Sequence, residues 1–233
     1  MVRFLVCVVL LSCSGLAVAS ECVVLLHGLA RTATSMNKME RELAAAGFTT
    51  ANIDYPSRDF TVEELAEMAV PEGIDACRAR DGVERIHFVT HSLGGILVRQ
   101  YLSHHELPEL GRVVMLGPPN QGSAAVDELR DVPGFDWLNG PAGQQLGKGE
   151  NSVPLQLGPA DFEVGVIAGN RTIDPITSAV LENPDDGRVS VEDTKLDGMA
   201  DFVVVEHSHA FMMRMQRTTD LTKAFLQNGR FGD

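Results

Sequence analysis

The 233-residue sequence is short of basic side chains. It holds 19 lysines and arginines against 32 aspartates and glutamates, so its formal net charge is −13 at pH 7. A protein with this balance repels phosphate groups, which disfavours nucleic acids and strongly anionic membranes as partners. The simpler reason for the acidic excess is that charge keeps a protein in solution.

The sequence also lacks internal repeats, low-complexity segments and, behind the apolar run at its start, a second apolar segment of membrane-spanning length. That run, at residues 4–11, is too short to span a bilayer as a helix. It follows the charged start Met1-Val2-Arg3 and precedes Ala17-Val18-Ala19, an order that is typical of a secretory signal peptide. We therefore expect residues 1–19 to be a signal peptide cleaved after Ala19, and the protein to be secreted or periplasmic.

Cysteine is scarce, and two of the four cysteines lie in the signal segment. An alternative interpretation takes Leu10-Leu11-Ser12-Cys13 as a lipoprotein signal that anchors Cys13 to a membrane, although the apolar run before it is short. Cys22 and Cys77 remain after cleavage, and an oxidising compartment favours a disulfide between them. Two buried free thiols are the other interpretation.

Apolar runs alternate with helical patterns along residues 20–233. The predicted strands are 22–26, 49–54, 85–90, 111–116, 162–168 and 201–205, and the predicted helices are about 35–47, 61–79, 93–103 and 214–227. This alternation predicts a mostly parallel sheet covered by helices on both faces. The length and the 44% apolar content fit one domain with one core.

A serine lies where the third of these strands meets a helix. The segment Thr90-His91-Ser92-Leu93-Gly94 follows the GxSxG pattern, with Thr90 in place of the first glycine. Small residues in this pattern let strand and helix approach closely, while the serine hydroxyl is held exposed on a sharp turn. Ser92 is therefore the candidate nucleophile. Neither Cys22 nor Cys77 is near this turn, which disfavours a thiol nucleophile.

A nucleophilic serine needs a base, and the base needs a carboxylate to orient it. The loop after strand 162–168 carries three carboxylates, Asp174, Asp185 and Asp186, and strand 201–205 ends before His207 and His209. The carboxyl ends of parallel strands meet at one edge of a sheet, so these loops can converge on Ser92.

Backbone amides complete this chemistry. A developing oxyanion is stabilised by preorganised N–H groups, one from the residue after the nucleophile and one from the loop after the first core strand. Leu93 is the first candidate, and Leu29, in the turn that begins at His27-Gly28, is the second. His27 and His91 are interpreted as structural.

Five segments together resemble bacterial lipase-like α/β-hydrolases, over essentially the whole chain after the signal peptide. They are 24–29, 90–95, 116–123, 185–189 and 208–211. The resemblance implies an α/β-hydrolase fold and a serine esterase or lipase without metal or cofactor. The family's Asp-x-x-Val segment maps onto Asp186 to Val189, and its histidine maps onto His209, with His207 as the fallback. Asp174 competes with Asp186 because it is nearer the strand, and Asp185 is the weaker neighbour.

Residues 118–160 are the least regular stretch, rich in proline and glycine and without a sustained amphipathic repeat. In the family this position commonly holds a cap over the acyl pocket, so we expect a small cap loop there. The apolar residues Phe135, Trp137 and Leu138 either contact an apolar substrate or anchor the loop.

The predicted function is hydrolysis of neutral acyl esters through Ser92, His209 and Asp186, with an acyl-enzyme intermediate. An acyltransferase with the same three residues and a non-catalytic binding protein on the same fold are the alternatives. His207 and His209 could instead form a metal pair, but no third ligand motif accompanies them. No metal, cofactor, nucleic acid or membrane span is expected.

Overall fold

Six parallel strands form a single sheet in the order β2-β1-β3-β4-β5-β6. The computed structural model describes residues 20–232, and for 135–138 the backbone alone. The strands are β1 Ser20–Leu26, β2 Thr49–Ile53, β3 Val83–His91, β4 Leu110–Leu116, β5 Val164–Gly169 and β6 Asp201–Val205. The predicted signal peptide and the alternative lipid site at Cys13 lie outside the described residues.

Eight α-helices connect and extend the strands within the described chain. They are α1 Asn37–Ala45, α2 Val62–Arg78, α3 Leu93–Leu102, α4 Ala124–Leu129, α5 Phe135–Gln144, α6 Val153–Gln156, α7 Pro175–Ser178 and α8 Gln216–Asn228. The capping box at Thr61 and Glu64 begins α2, with both reciprocal hydrogen bonds present. Across residues 20–232, no helix has the length and apolar character that a membrane crossing requires.

The core has two layers, one on each face of the sheet. Alternate residues of β1 belong to different layers: Val24 and Leu26 pack with α2 and α3, whereas Val23 and Leu25 pack with α1 and α8. This period of two, with both faces apolar, is what a parallel sheet covered by helices requires. The predicted parallel sheet covered by helices on both faces is confirmed.

The strand order reverses beside β1, because β2 lies on one side of it and β3 on the other. In open α/β sheets ligands bind in the crevice at such a reversal, beyond the carboxyl ends of the strands. The loops after β1 and β3 therefore leave the sheet next to each other, with Leu26 aligned to Thr90 in the last pair.

Cys22 and Cys77 form a disulfide, with 5.8 Å between their Cα atoms. Cys22 lies near the start of β1 and Cys77 in the last turn of α2. Both side chains are fully buried. The bridge lies at the end of the sheet opposite the crevice.

The structure differs from the predicted elements in residues 118–160. This stretch is not an irregular loop, since it contains α4, α5 and α6. The helices are short and interrupted, and Gly140 in α5 has φ 63° and ψ −172°. Short helices with local caps leave little periodic signal in a sequence.

The segment 118–160 is tied to α3 by one buried side chain. The Arg99 guanidinium donates hydrogen bonds to the carbonyl oxygens of Asn120, Pro154 and Gly158, and also to Asn120 Oδ1, at 2.8–3.2 Å. Burial lowers the pKa of Arg99 to about 10. One cation thus holds both ends of the segment to the helix that follows Ser92.

Candidate active site

Ser92 occupies a strained turn between β3 and α3. Its φ of 53° and ψ of −120° lie in a region that side-chain-bearing residues rarely adopt. Gly94 makes the turn sterically feasible, because a Cβ there would lie 2.8 Å from the Leu26 carbonyl oxygen. The threonine in the first glycine position is accommodated since Thr90 is buried against Gly95.

His209 is held by Asp186 on both its side chain and its backbone. Its Nδ1 lies 2.8 Å from Asp186 Oδ2, and its backbone N–H donates to the Asp186 carbonyl oxygen at 2.9 Å. The carboxylate accepts, so this bond assigns the proton to Nδ1 and leaves Nε2 as an acceptor. Both residues are buried.

Asp186 is oriented by its own loop. Its second oxygen, Oδ1, accepts backbone N–H bonds from Arg188 and Val189, both at 2.9 Å. The Asp-x-x-Val segment therefore closes on its own carboxylate, which leaves Oδ2 for His209. Ser92 and His209 line the same cavity, but Ser92 Oγ makes no hydrogen bond to His209 in the described structure. Such bonds are often long before substrate binds.

The other candidate acids are engaged elsewhere. Asp174 caps α7 through Thr177 and pairs with Arg188 at 3.0 Å; the Thr177 N–H and hydroxyl, with Arg188, lower the pKa of Asp174. Asp185 is buried and accepts from the Ser178 hydroxyl and the Gly187 N–H. Neither forms a hydrogen bond or ion pair with a histidine in the described chain.

His207 stands outside this arrangement. Its Nδ1 donates to the Glu206 carbonyl oxygen at 2.8 Å, and its own carbonyl accepts the Arg171 N–H. Residues 20–232 contain no group of three or more His, Cys, Asp or Glu side chains arranged to hold a metal ion.

The two candidate oxyanion donors flank Ser92. Leu93 is the first residue of α3, so its N–H has no partner within the helix. Leu29 lines the cavity with Ser92, and its N–H donates to no residue in the described chain. The next residue, Ala30, has φ 54° and donates its N–H to Ser57 Oγ at 3.0 Å. Ser57 thereby fixes the turn that carries Leu29.

A buried histidine and tyrosine support that turn from below. His27 Nδ1 donates to the Gly28 carbonyl oxygen, while its Nε2 accepts the Tyr55 N–H. The Tyr55 hydroxyl donates to the His27 carbonyl oxygen, and the two rings stack. Burial lowers the pKa of His27, which keeps the ring neutral in the tautomer that these bonds require.

His91 supports His209 in a similar way. Its Nε2 donates to the His209 carbonyl oxygen at 3.0 Å, and the two ring centroids are 4.7 Å apart. Burial, and then the neighbouring His209, hold the pKa of His91 well below its ordinary value. Gly28 is required beside it, since a Cβ at that position would lie 2.6 Å from His91 Nδ1.

A cavity of about 500 Å³ opens above Ser92 and His209. Residues of the segment 118–160 form one wall of it, and its apolar lining includes Leu29, Ala125, Val126, Leu129, Leu146 and Val189. His209 also lines a smaller cavity of about 320 Å³. Arg31 and Arg188 line both cavities.

The structure brings together Ser92, His209, Asp186, Leu29 and Leu93. Sequence reasoning missed the groups around them, including Arg31, Arg188, Tyr55 and Ser57. Arg31 offered one signal, because it stands in the loop that follows β1 at the crevice. Tyr55 and Ser57 offered none, since their roles depend on contacts with His27 and Ala30, which are distant from them in the sequence.

The model of the alpha/beta hydrolase family matches residues 23–220. The fold is similar to that of the mature form of a lipase from Bacillus licheniformis, at 19% identity and a TM-score of 0.69, with 91% of this chain and 93% of that chain covered. No curated protein matches the sequence.

Two further structures have the same fold. A phospholipase from Legionella pneumophila, PlaB, is 20% identical with a TM-score of 0.67; the match covers 92% of this chain but 58% of that longer chain. A thermophilic esterase from Thermogutta terrifontis is 16% identical with a TM-score of 0.58, and the match covers 91% of each chain.

Proposed function

Because this chain belongs to the alpha/beta hydrolase family, we propose that it is a serine carboxylester hydrolase with Ser92, His209 and Asp186 as its catalytic triad. The observation that carries the proposal is the bond between His209 Nδ1 and Asp186 Oδ2 at 2.8 Å, beside the cavity that Ser92 lines. It leaves His209 Nε2 as the proton acceptor on the side of the nucleophile.

The reaction proceeds in two steps. His209 takes the proton of Ser92, and the serine oxygen attacks the ester carbonyl carbon. The backbone N–H groups of Leu29 and Leu93 stabilise the oxyanion. The C–O bond then breaks, and the alcohol leaves with the proton from His209. Water, deprotonated by His209, attacks the acyl-enzyme and releases the acid, which restores Ser92.

The apolar wall from residues 118–160 suits an acyl chain, so we assign this segment the role of a cap over the acyl pocket. The Cys22–Cys77 disulfide supports export, since disulfides persist in oxidising compartments. We accordingly propose that residues 1–19 are a signal peptide and that residues 20–233 are the catalytic domain.

Hydrolysis of p-nitrophenyl esters from acetyl to palmitoyl tests the proposed reaction. We expect Ser92→Ala and His209→Ala to lower kcat at least about 10³-fold, because either change removes a member of a unit that acts together. Release of p-nitrophenolate and circular dichroism would measure activity and folding in parallel.

His207→Ala is the matched control, since His207 lies two residues away and its ring hydrogen-bonds to the Glu206 carbonyl oxygen rather than to Asp186 or Ser92. It should retain most of the activity. Loss of activity in His207→Ala with retention in His209→Ala would make the assigned base wrong. Equal hydrolysis by the native protein and Ser92→Ala would exclude the serine mechanism.

A further inference from the structure

Arg31 is a partly buried cation without a partner at the candidate active site. It follows the turn that carries Leu29, and it lines both cavities beside His209. Its guanidinium makes no hydrogen bond or ion pair with any residue in the described chain. Removing a charge from water without compensation is costly, so an unpaired guanidinium at a cavity is a candidate for ligand binding.

Two further arginines increase the positive charge at this place. The pKa of Arg31 is lowered by burial and then by the positive charges of Arg214 and Arg188. The acidic groups that face the smaller cavity are already engaged: Asp174 pairs with Arg188, and Asp186 is held by His209 and two backbone amides. The charge of Arg31 is therefore uncompensated, in a chain whose net charge is −13.

The position of Arg31 relative to His209 indicates which part of a substrate it would contact. The larger cavity has the apolar wall that suits an acyl chain. The smaller cavity is lined by His209, Ile173, Asp186 and Ala210 together with the two arginines. Because His209 delivers the proton to the leaving alcohol, the alcohol portion of an ester lies next to His209, and Arg31 and Arg188 line both cavities with His209.

We propose that the site takes esters whose alcohol portion carries an oxyanion, a carboxylate or a phosphate, and that Arg31 binds this anion with Arg188 beside it. The inference rests on the proposed hydrolase function. The fork of N–H donors on a guanidinium matches both kinds of oxyanion. This proposal replaces the expectation of neutral esters. That expectation was based on the net charge of the whole chain, whereas the proposal is based on the charge at the site.

Three esters with the same acyl chain test the proposal: 4-(butanoyloxy)benzoate, 4-(butanoyloxy)phenyl phosphate and the neutral methyl 4-(butanoyloxy)benzoate. We expect Arg31→Gln to lower kcat/KM for each anionic ester by about tenfold relative to kcat/KM for the neutral ester. The loss should come from a higher KM for the anionic esters. The ester that loses more shows whether carboxylate or phosphate is the preferred group. Arg171→Gln is the control, because Arg171 is exposed, pairs with Glu206 at 3.2 Å and lines neither cavity.

An unchanged kcat/KM in Arg31→Gln for both anionic esters, relative to the neutral ester, would overturn the proposal, while hydrolysis of the neutral ester would still support the proposed reaction. If no ester is hydrolysed, the proposed function fails. A binding measurement then decides whether Arg31 binds the anionic group. Calorimetric titration of Ser92→Ala with each anionic ester should then show about tenfold weaker binding once Arg31→Gln is added. Equal affinity in the two proteins would contradict a role for Arg31.

Discussion

At the scale of single residues, Gly117 shows how little space surrounds the pair of His209 and Asp186. It has φ 55°, and a Cβ there would lie 3.0 Å from Asp186 Oδ2 and 3.1 Å from His209 Nδ1. The glycine after β4 therefore has two requirements, a left-handed backbone and the absence of a side chain.

We expect Gly117→Ala to lower kcat by about tenfold or more, because displacement of the Asp186–His209 bond by a few tenths of an ångström misaligns the base. The strained φ should also lower the free energy of unfolding by about 1 kcal/mol. Ester hydrolysis and urea denaturation measure the two effects.

Gly82→Ala is the control that separates the effect of backbone strain from the effect of a misaligned His209. Gly82 has φ 74°, but a Cβ there would meet no atom within 4 Å, and it lies before β3, away from the crevice. It should lose similar stability and keep its kcat. A matching loss of kcat in both variants would show that backbone strain alone accounts for the effect of Gly117→Ala.

At the scale of elements, the disulfide joins β1 to α2 across 55 positions of sequence. A cross-link over a loop of this length restricts the unfolded chain, which corresponds to about 4 kcal/mol in the chain-entropy model and 2–4 kcal/mol in typical measurements. The bridge lies opposite the crevice, so its loss should change stability far more than turnover.

We expect the double variant Cys22→Ala/Cys77→Ala to unfold with a free energy lower by about 2–4 kcal/mol, and to keep its kcat below its melting transition. Urea denaturation of native and variant protein, with and without reductant, measures this. Reductant should lower the stability of the native protein and leave the variant unaffected; an equal response would show that the bridge is absent in solution.

The elements of the sheet could be predicted from the sequence because a buried parallel strand is a short, continuous apolar run. β1 was expected at 22–26 and begins at Ser20, and β3 was expected at 85–90 and extends to 83 and 91. The helices α4, α5 and α6 could not be predicted. They are short, and their place depends on contacts such as those of Arg99 with residues far along the chain.

The candidate site could be predicted in part, for a similar reason. Strand ends placed Ser92 and His209 near each other without any knowledge of side-chain contacts. The choice among Asp174, Asp185 and Asp186 depended on the family resemblance, because all three lie between the same two strands and the sequence does not show which of them contacts a histidine. Arg31 has an ordinary loop position, and its unpaired state is a tertiary property.

At the scale of the whole molecule, three buried histidines link stability to pH. Burial is the largest cause that lowers the pKa of His27, His87 and His91 below the ordinary value near 6.5. Below that pH the unfolded chain takes up protons that the folded chain does not. The free energy of unfolding therefore falls as the pH falls from about 7 toward each folded pKa.

We expect stability to decrease below pH 6.5 by up to about 1.4 kcal/mol per pH unit for each of these histidines. Urea denaturation at pH 7.5, 6.5 and 5.5 measures the slope. His87→Gln is the informative variant, since it is far from the candidate site and glutamine can still accept the Arg112 N–H that His87 Nδ1 accepts. In His87→Gln the free energy of unfolding should fall less steeply with pH, by the contribution of one histidine. An identical slope in the two proteins would show that His87 does not contribute to the pH dependence.

The Arg99 clamp has a consequence for how pockets in such a chain can diversify. Because Asn120, Pro154 and Gly158 are all held by one guanidinium, the chain between them begins and ends at fixed points beside α3. The chain between these points is also held to the start of α2, because the Ala142 N–H donates to the Phe60 carbonyl oxygen and Gln145 accepts the Val62 N–H. A change of length within residues 124–150 would therefore have to preserve both attachments, to α3 through Arg99 and to α2 through Gln145, for the acyl wall to keep its place over the cavity.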